Sequence, residues 1–161
     1  MGVLAILGVL GLLGCGPSAG LPAAARQSAE KVFPGAQIQK VKMEEENGLQ
    51  LYEVKLSQKG AKAEVTVAAD GTVVETETSM APDQLPKVVR DAVAQAAPGA
   101  KTVKAKREEV LADSKLAKLA NPKVSFEIEV AKDGKEGELT VSADGVVTEP
   151  LKWEEGQRDD D

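Results

Sequence analysis

Residues 21–45 read LPAAARQSAEKVFPGAQIQKVKMEE, and 64 positions later residues 85–109 read LPKVVRDAVAQAAPGAKTVKAKREE. Ten of these 25 positions are identical without a gap. Residues 51–75 return in the same way, 74 positions later, as residues 125–149, again with ten of 25 identical. The chain therefore reads as two copies of one unit, with ten extra residues inside the second. Each copy opens on Leu-Pro, at Leu21-Pro22 and Leu85-Pro86. Proline suits a helix start, where an amide proton has no partner to lose. Ala23 to Phe33 is rich in good helix formers, and Val88, Val89, Ala92, Val93 and Ala96 form one apolar stripe at helical spacing. Pro34-Gly35 and Pro98-Gly99 end the two helices.

Strands follow each helix. Ile38–Glu45 and Thr102–Glu109 come first. Tyr52, Val54 and Leu56 then alternate with Glu53 and Lys55, as Phe126, Ile128 and Val130 do with Glu127 and Glu129. Lys59-Gly60 and Asp133-Gly134 turn into third strands, and Asp70-Gly71 and Asp144-Gly145 read as type I′ hairpins into fourth strands. The expected fold class is α+β: two tandem repeats, each one helix followed by a four-stranded antiparallel sheet, with the helices on one face. A unit of this size has a marginal core when alone, so the two are expected to share a continuous sheet or a common core. The expected boundaries are 21–80 for repeat 1 and 81–153 for repeat 2. The insertion falls near 110–122, where Val110, Leu111, Leu116 and Leu119 suit either a lengthened hairpin loop or a short helix. The acidic tail 154–161 is expected to be disordered.

The N-terminus carries its own signal. Val3 to Leu13 is an apolar run of eleven residues, too short for a bilayer core about 30 Å thick but suited to a signal peptide. Leu12-Leu13-Gly14-Cys15 ends it and resembles the lipobox of bacterial lipoproteins, although no Lys or Arg precedes Arg26. This resemblance implies a lipoprotein-type signal over 1–14, lipidation of Cys15 and a tether over 15–20. An ordinary cleaved signal with an incidental cysteine is the other reading of the same residues.

Chemistry is constrained by what is missing. The chain has no histidine and one cysteine, which leaves no Ser-His-Asp or Cys-His system and no His/Cys metal site. No P-loop or dinucleotide motif occurs. The expectation is therefore no enzyme, no catalytic residue, no metal and no cofactor. A net charge of −6 argues against nucleic acid as a partner. The candidate partner-binding face is the side of the sheet away from the helices: Glu53, Lys55, Glu64, Thr66, Glu127, Glu129, Glu138 and Thr140. Lys40, Lys42, Lys104 and Lys106 are expected beside them.

The Leu-Pro start, the Phe33-Pro34-Gly35 stop, the Tyr52-Glu53-Val54 strand and the Asp70-Gly71 hairpin resemble the PepSY-like domains of bacterial envelope proteins. The second copy carries the counterparts Leu85, Pro86, Pro98, Gly99, Phe126, Glu127, Ile128, Asp144 and Gly145. The tandem form looks like the β-lactamase-inhibitor-like branch. The resemblance implies a lipid-anchored module on the periplasmic or extracellular side of the envelope, held to the membrane through its N-terminal lipid. It also implies a non-catalytic role binding an envelope protein or a peptidase, as an inhibitor or regulator. The alternative is a structural or stress-related envelope lipoprotein with no inhibitory target.

Overall fold

The computed structural model describes residues 20–46 and 48–154. Helix α1 (Ala23–Val32) precedes strands β1 (Gln37–Glu46), β2 (Leu49–Gln58), β3 (Ala61–Ala68) and β4 (Val73–Met80). A short 3-10 turn at Pro82–Gln84 leads to α2 (Lys87–Ala96), then β5 (Lys101–Ala112), β6 (Lys118–Lys132), β7 (Lys135–Ser142) and β8 (Val147–Trp153). All eight strands form one antiparallel sheet in the order of the chain, β1 to β8.

This corrects the expected fold class. The described residues are mostly β, one eight-stranded sheet with two short helices, and not two tandem units that each own a four-stranded sheet. The reason lies at β4 and β5. Glu75 through Met80 pair residue by residue with Val110 through Ala105, with no register break. Two separate sheets would leave both strands as open edges with unpaired amides and carbonyls.

The register fixes which residues share a face, because neighbours across a ladder point the same way. Val54 faces Val65, Val65 faces Thr76, Thr76 faces Glu109, and Arg107, two residues earlier, faces Phe126. Both apolar clusters therefore lie on one side of the sheet. Under α1, Ala25 and Ala29 pack with Tyr52, Val54, Leu56, Val65 and Val67. Under α2, Val89 and Val93 pack with Phe126, Ile128, Val130, Leu139 and Val141. The two clusters do not merge. Thr76, Thr78, Arg107 and Glu109 run between them as a polar strip, with Arg107 Nη1 donating to Glu109 Oε2 at 2.7 Å.

Both helices stop where proline and glycine demand it. The Phe33 amide closes onto the Ala29 carbonyl at 3.0 Å, and Gly35 then takes φ +76°. The hairpins differ from the sequence reading in one respect. Positive φ at both central residues occurs at Lys59-Gly60 and Asp133-Gly134, which are the I′ positions. At Asp70-Gly71 and at Asp144-Gly145 only the glycine has positive φ, and its amide donates at 2.9 Å to the Ala68 or the Ser142 carbonyl. Each is a type I turn with a left-handed glycine, and in the first the extra residue appears as a register break between Thr66 and Val67.

The inserted residues are no helix. They lengthen β5 and β6 into a hairpin arm whose tip is 113–117. Asp113 Oδ1 accepts the Lys115 and Ala117 amides, both at 2.9 Å, which gives the backbone a turn in place of a helical ladder. Pro122 falls in the irregular stretch between the Val110–Lys123 and Ala112–Lys118 pairs, where a missing amide costs no ladder bond. At the other end of the sheet, edge strand β8 carries Pro150 at a similar break, and edge strand β1 has a break between Ile38 and Lys40.

Candidate functional site

The side of the sheet opposite the helices is left uncovered along most of its length. All eight candidate residues lie on it. Glu53 faces Thr66 and Lys55 faces Glu64 across β2 and β3, while Glu127 faces Thr140 and Glu129 faces Glu138 across β6 and β7. The four lysines join them: Lys40 faces Lys55, Lys42 faces Glu53, Lys104 faces Glu129 and Lys106 faces Glu127.

These charges form a lattice. Lys55 Nζ lies 3.2 Å from Glu53 and 3.5 Å from Glu64, and Lys104 lies 2.8 Å from Glu129. Lys106 crosses the middle of the sheet, 2.7 Å from Glu127 on β6 and 3.5 Å from Glu77 on β4. Burial and the nearby Glu53 and Glu77 carboxylates push the Glu64 carboxyl above its ordinary range, against the pull of Lys55. The Lys55 ammonium is held above its ordinary value by its hydrogen bond to Glu53 and by the charge of Glu64.

A groove of about 530 Å³ opens at the centre of this face. Lys55, Ser57, Lys62 and Glu64 line it from β2 and β3, Glu77 and Ser79 from β4, and Lys106 from β5. It therefore spans the line where the two halves of the chain meet. Among the described residues the carboxylates spread along the strands, and no three converge closely enough to hold a metal ion. The arrangement offers donors and acceptors to a bound surface.

No aromatic side chain sits on this face among the described residues. Tyr52 and Phe126 are buried under the helices, and Trp153 lies against Gly137 on the helix side. Sequence reasoning missed Ser57, Lys62, Glu75, Glu77 and Ser79. In β4 the alternation was visible as Glu75-Thr76-Glu77-Thr78, but with polar residues on both sides it could not say which way each pointed. Cys15, the signal over 1–14, most of the tether and all of the acidic tail except Glu154 lie outside the described residues. No helix among the described residues is long and apolar enough to cross a membrane.

No protein-family model matches the chain, and no curated protein does. Solved structures do. A DUF2874 family protein from Bacteroides uniformis aligns with a TM-score of 0.61 at 15% identity, covering 82% of this chain and 88% of that one. A BLIP-like protein from Bacteroides fragilis aligns with a TM-score of 0.56 at 21% identity, covering 82% of this chain and 86% of that one. The fold is BLIP-like. A protein from Bacteroides eggerthii, provisionally described as periplasmic, shares this BLIP-like fold with a TM-score of 0.60 at 16% identity, over 82% of this chain and 88% of its own. At these identities the likeness is one of fold.

Proposed function

We propose that this chain is an exported, non-catalytic binding module of the bacterial envelope, anchored through Cys15, that engages a protein partner on the open face of its sheet. The observation that carries the reading is the 530 Å³ groove at the centre of that face, lined by paired and unpaired charges and left open by the fold. The lipobox-like Leu12-Leu13-Gly14-Cys15 supports export and anchoring, and the BLIP-like fold with a periplasmic neighbour agrees with that placement. PepSY-like envelope proteins make a peptidase the narrower partner class. Tight interfaces favour Trp, Tyr and Arg anchors, and the described part of this face offers none of these aromatics. The contact is therefore polar, and its rate of formation depends on salt.

The charge lattice also supports the second reading, a structural or stress-related envelope lipoprotein with no inhibitory target, because mixed surface charge serves solubility by itself. One variant separates the two. Ser79→Arg fills the groove with a bulky cation from an exposed position, where surface substitutions change stability little. The experiment is capture from the native envelope by the full-length protein and by this variant. Loss of a protein that the unaltered chain retains, at an unchanged melting temperature, supports the binding module. Identical capture by both sinks the groove as its site. A mature N-terminus other than acylated Cys15, read by mass spectrometry, sinks the anchor.

A further inference from the structure

The open face has one buried patch, and it lies where the inserted arm reaches. Leu51, Ala68 and Ala112 are 8%, 2% and 2% exposed, yet none belongs to either cluster under the helices. Leu51 and Ala68 face each other on the open side. A cavity of about 180 Å³ runs between sheet and arm. Leu49, Leu51 and Val74 line it from the sheet and Ala112, Asp113, Ser114 and Leu116 from the arm, with Glu46 and Glu75 at its walls.

Glu75 is the conspicuous group. It is half-buried on β4, between Thr66 on β3 and Val110 on β5. Every carboxylate around it has the same sign: Glu46 from β1, Glu64 from β3, Glu77 on its own strand, Glu108 from β5 and Asp113 from the arm. Of the cations on this face, Lys55 is paired with Glu53 and Glu64 and Lys106 with Glu77 and Glu127, while Lys40 and Lys62 carry no ion pair among the described residues. Glu108 is held by the Ser125 hydroxyl, which donates to it at 3.0 Å. On β6, Lys118 and Lys123 are exposed and carry no ion pair among the described residues. Glu75 itself has no hydrogen bond or ion pair among the described residues.

We propose that the arm tip 113–117 is a proton-operated latch over one end of the open face, seated on Leu49, Leu51 and Val74 while Glu75 is neutral and released when Glu75 ionises. An ionised Glu75 is left half-buried among like charges with only the water that the cavity admits, and lifting the arm opens it to bulk water and moves Asp113 away. Burial, then repulsion from Glu108 and Glu77, raise its carboxyl to about 7. The direction of the effect follows. The closed chain holds this proton more tightly than the open or unfolded chain does. Closure is therefore favoured at acid pH, weakens as pH climbs from the ordinary carboxylate range, and levels off above about 7. Asp113 contributes no titration in this window, because the Lys115 and Ala117 amides hold its carboxyl below its ordinary value. The latch does not depend on the face having a partner.

Methyl NMR of the full chain with a soluble paramagnetic agent tests this. Exposed methyls broaden and covered ones do not. The Leu116 and Leu51 methyls should become more accessible as pH rises from about 5.5 to about 8.5, with the open fraction growing about tenfold per pKa unit separating open from closed. Glu75→Gln should hold both methyls covered throughout. Glu108→Gln, which removes one repelling charge, should ease the ionisation of Glu75 and move the midpoint to lower pH. Ile128 and Val54 methyls, under the helices, serve as the unchanging reference. Coincident profiles for the unaltered chain and Glu75→Gln would overturn the latch, as would methyls covered at every pH in the unaltered chain. If Glu75→Gln does not fold, an unshifted midpoint in Glu108→Gln overturns it equally.

Discussion

The two faces of this sheet obey opposite rules, and each breaks its own rule once. On the helix side, apolar residues from β2, β3, β6 and β7 disappear under α1 and α2, but Thr76, Thr78, Arg107 and Glu109 interrupt them at the middle. On the open side, charged residues dominate, but Leu51 and Ala68 are buried where the inserted arm lies. The interruption on the first face explains why one sheet has two cores. Backbone pairing holds the middle together there, and side-chain packing holds the two ends. The interruption on the second face marks the one place where the open side has been given a cover. A sheet face is thus not uniform in role along its length, and the exceptions identify where cohesion changes hands.

Substitutions on the two faces should differ sharply in cost. Ile128→Ala removes a fully buried side chain from the α2 cluster and should destabilise by about 2–5 kcal/mol in denaturant unfolding. Its sequence neighbour Glu127, pointing the other way, should tolerate Gln within about 0.5 kcal/mol. Equal costs would erase the distinction between faces. A second comparison sharpens it at the turns. Gly145 has φ +86°, and an added Cβ would come within 2.5 Å of Val88 Cγ2 on α2. Gly134 has φ +76° with open space around it. Both Gly→Ala changes suffer the left-handed strain, about 1–2 kcal/mol, and only Gly145→Ala also runs into Val88 on α2. A larger loss of melting temperature at Gly145 than at Gly134 is the expected result. The smallest effect belongs to the lattice. Lys55→Ala breaks exposed pairs with Glu53 and Glu64 and should cost about 0.2–1 kcal/mol, a difference that high salt removes.

Much of this was legible in the chain, for physical reasons that differ by element. Leu-Pro starts and Pro-Gly stops act locally, so α1 and α2 could be placed from sequence. Period-two alternation in Tyr52-Glu53-Val54-Lys55-Leu56 declares a face, and the candidate residues of β2, β3, β6 and β7 were found on it. What failed was non-local or two-sided. Sequence identity at a spacing of 64 says that segments are alike, but not that β4 of the first joins β5 of the second, so a continuous sheet and a common core both stayed open, and the strand-to-strand join that decides for the sheet was not legible. The polar strip has no apolar phase to read, which hid Glu75 and Glu77. The arm was open between loop and helix because Val110, Leu111, Leu116 and Leu119 fit a helical spacing. Asp113 decided it by capturing the amides of Lys115 and Ala117.

The breaks in the two outermost strands have a further consequence. A ribbon of eight strands in chain order never closes on itself, so both its margins stay available for another chain to zip onto. Pro150 interrupts one margin, while the other is broken only near its start, between Ile38 and Lys40, and is blunted along Lys40–Glu46 by charge, at Lys40, Lys42 and the Glu44–Glu46 run. A proline on one edge and a run of charge on the other both raise the cost of edge-to-edge growth into a fibre at high local density.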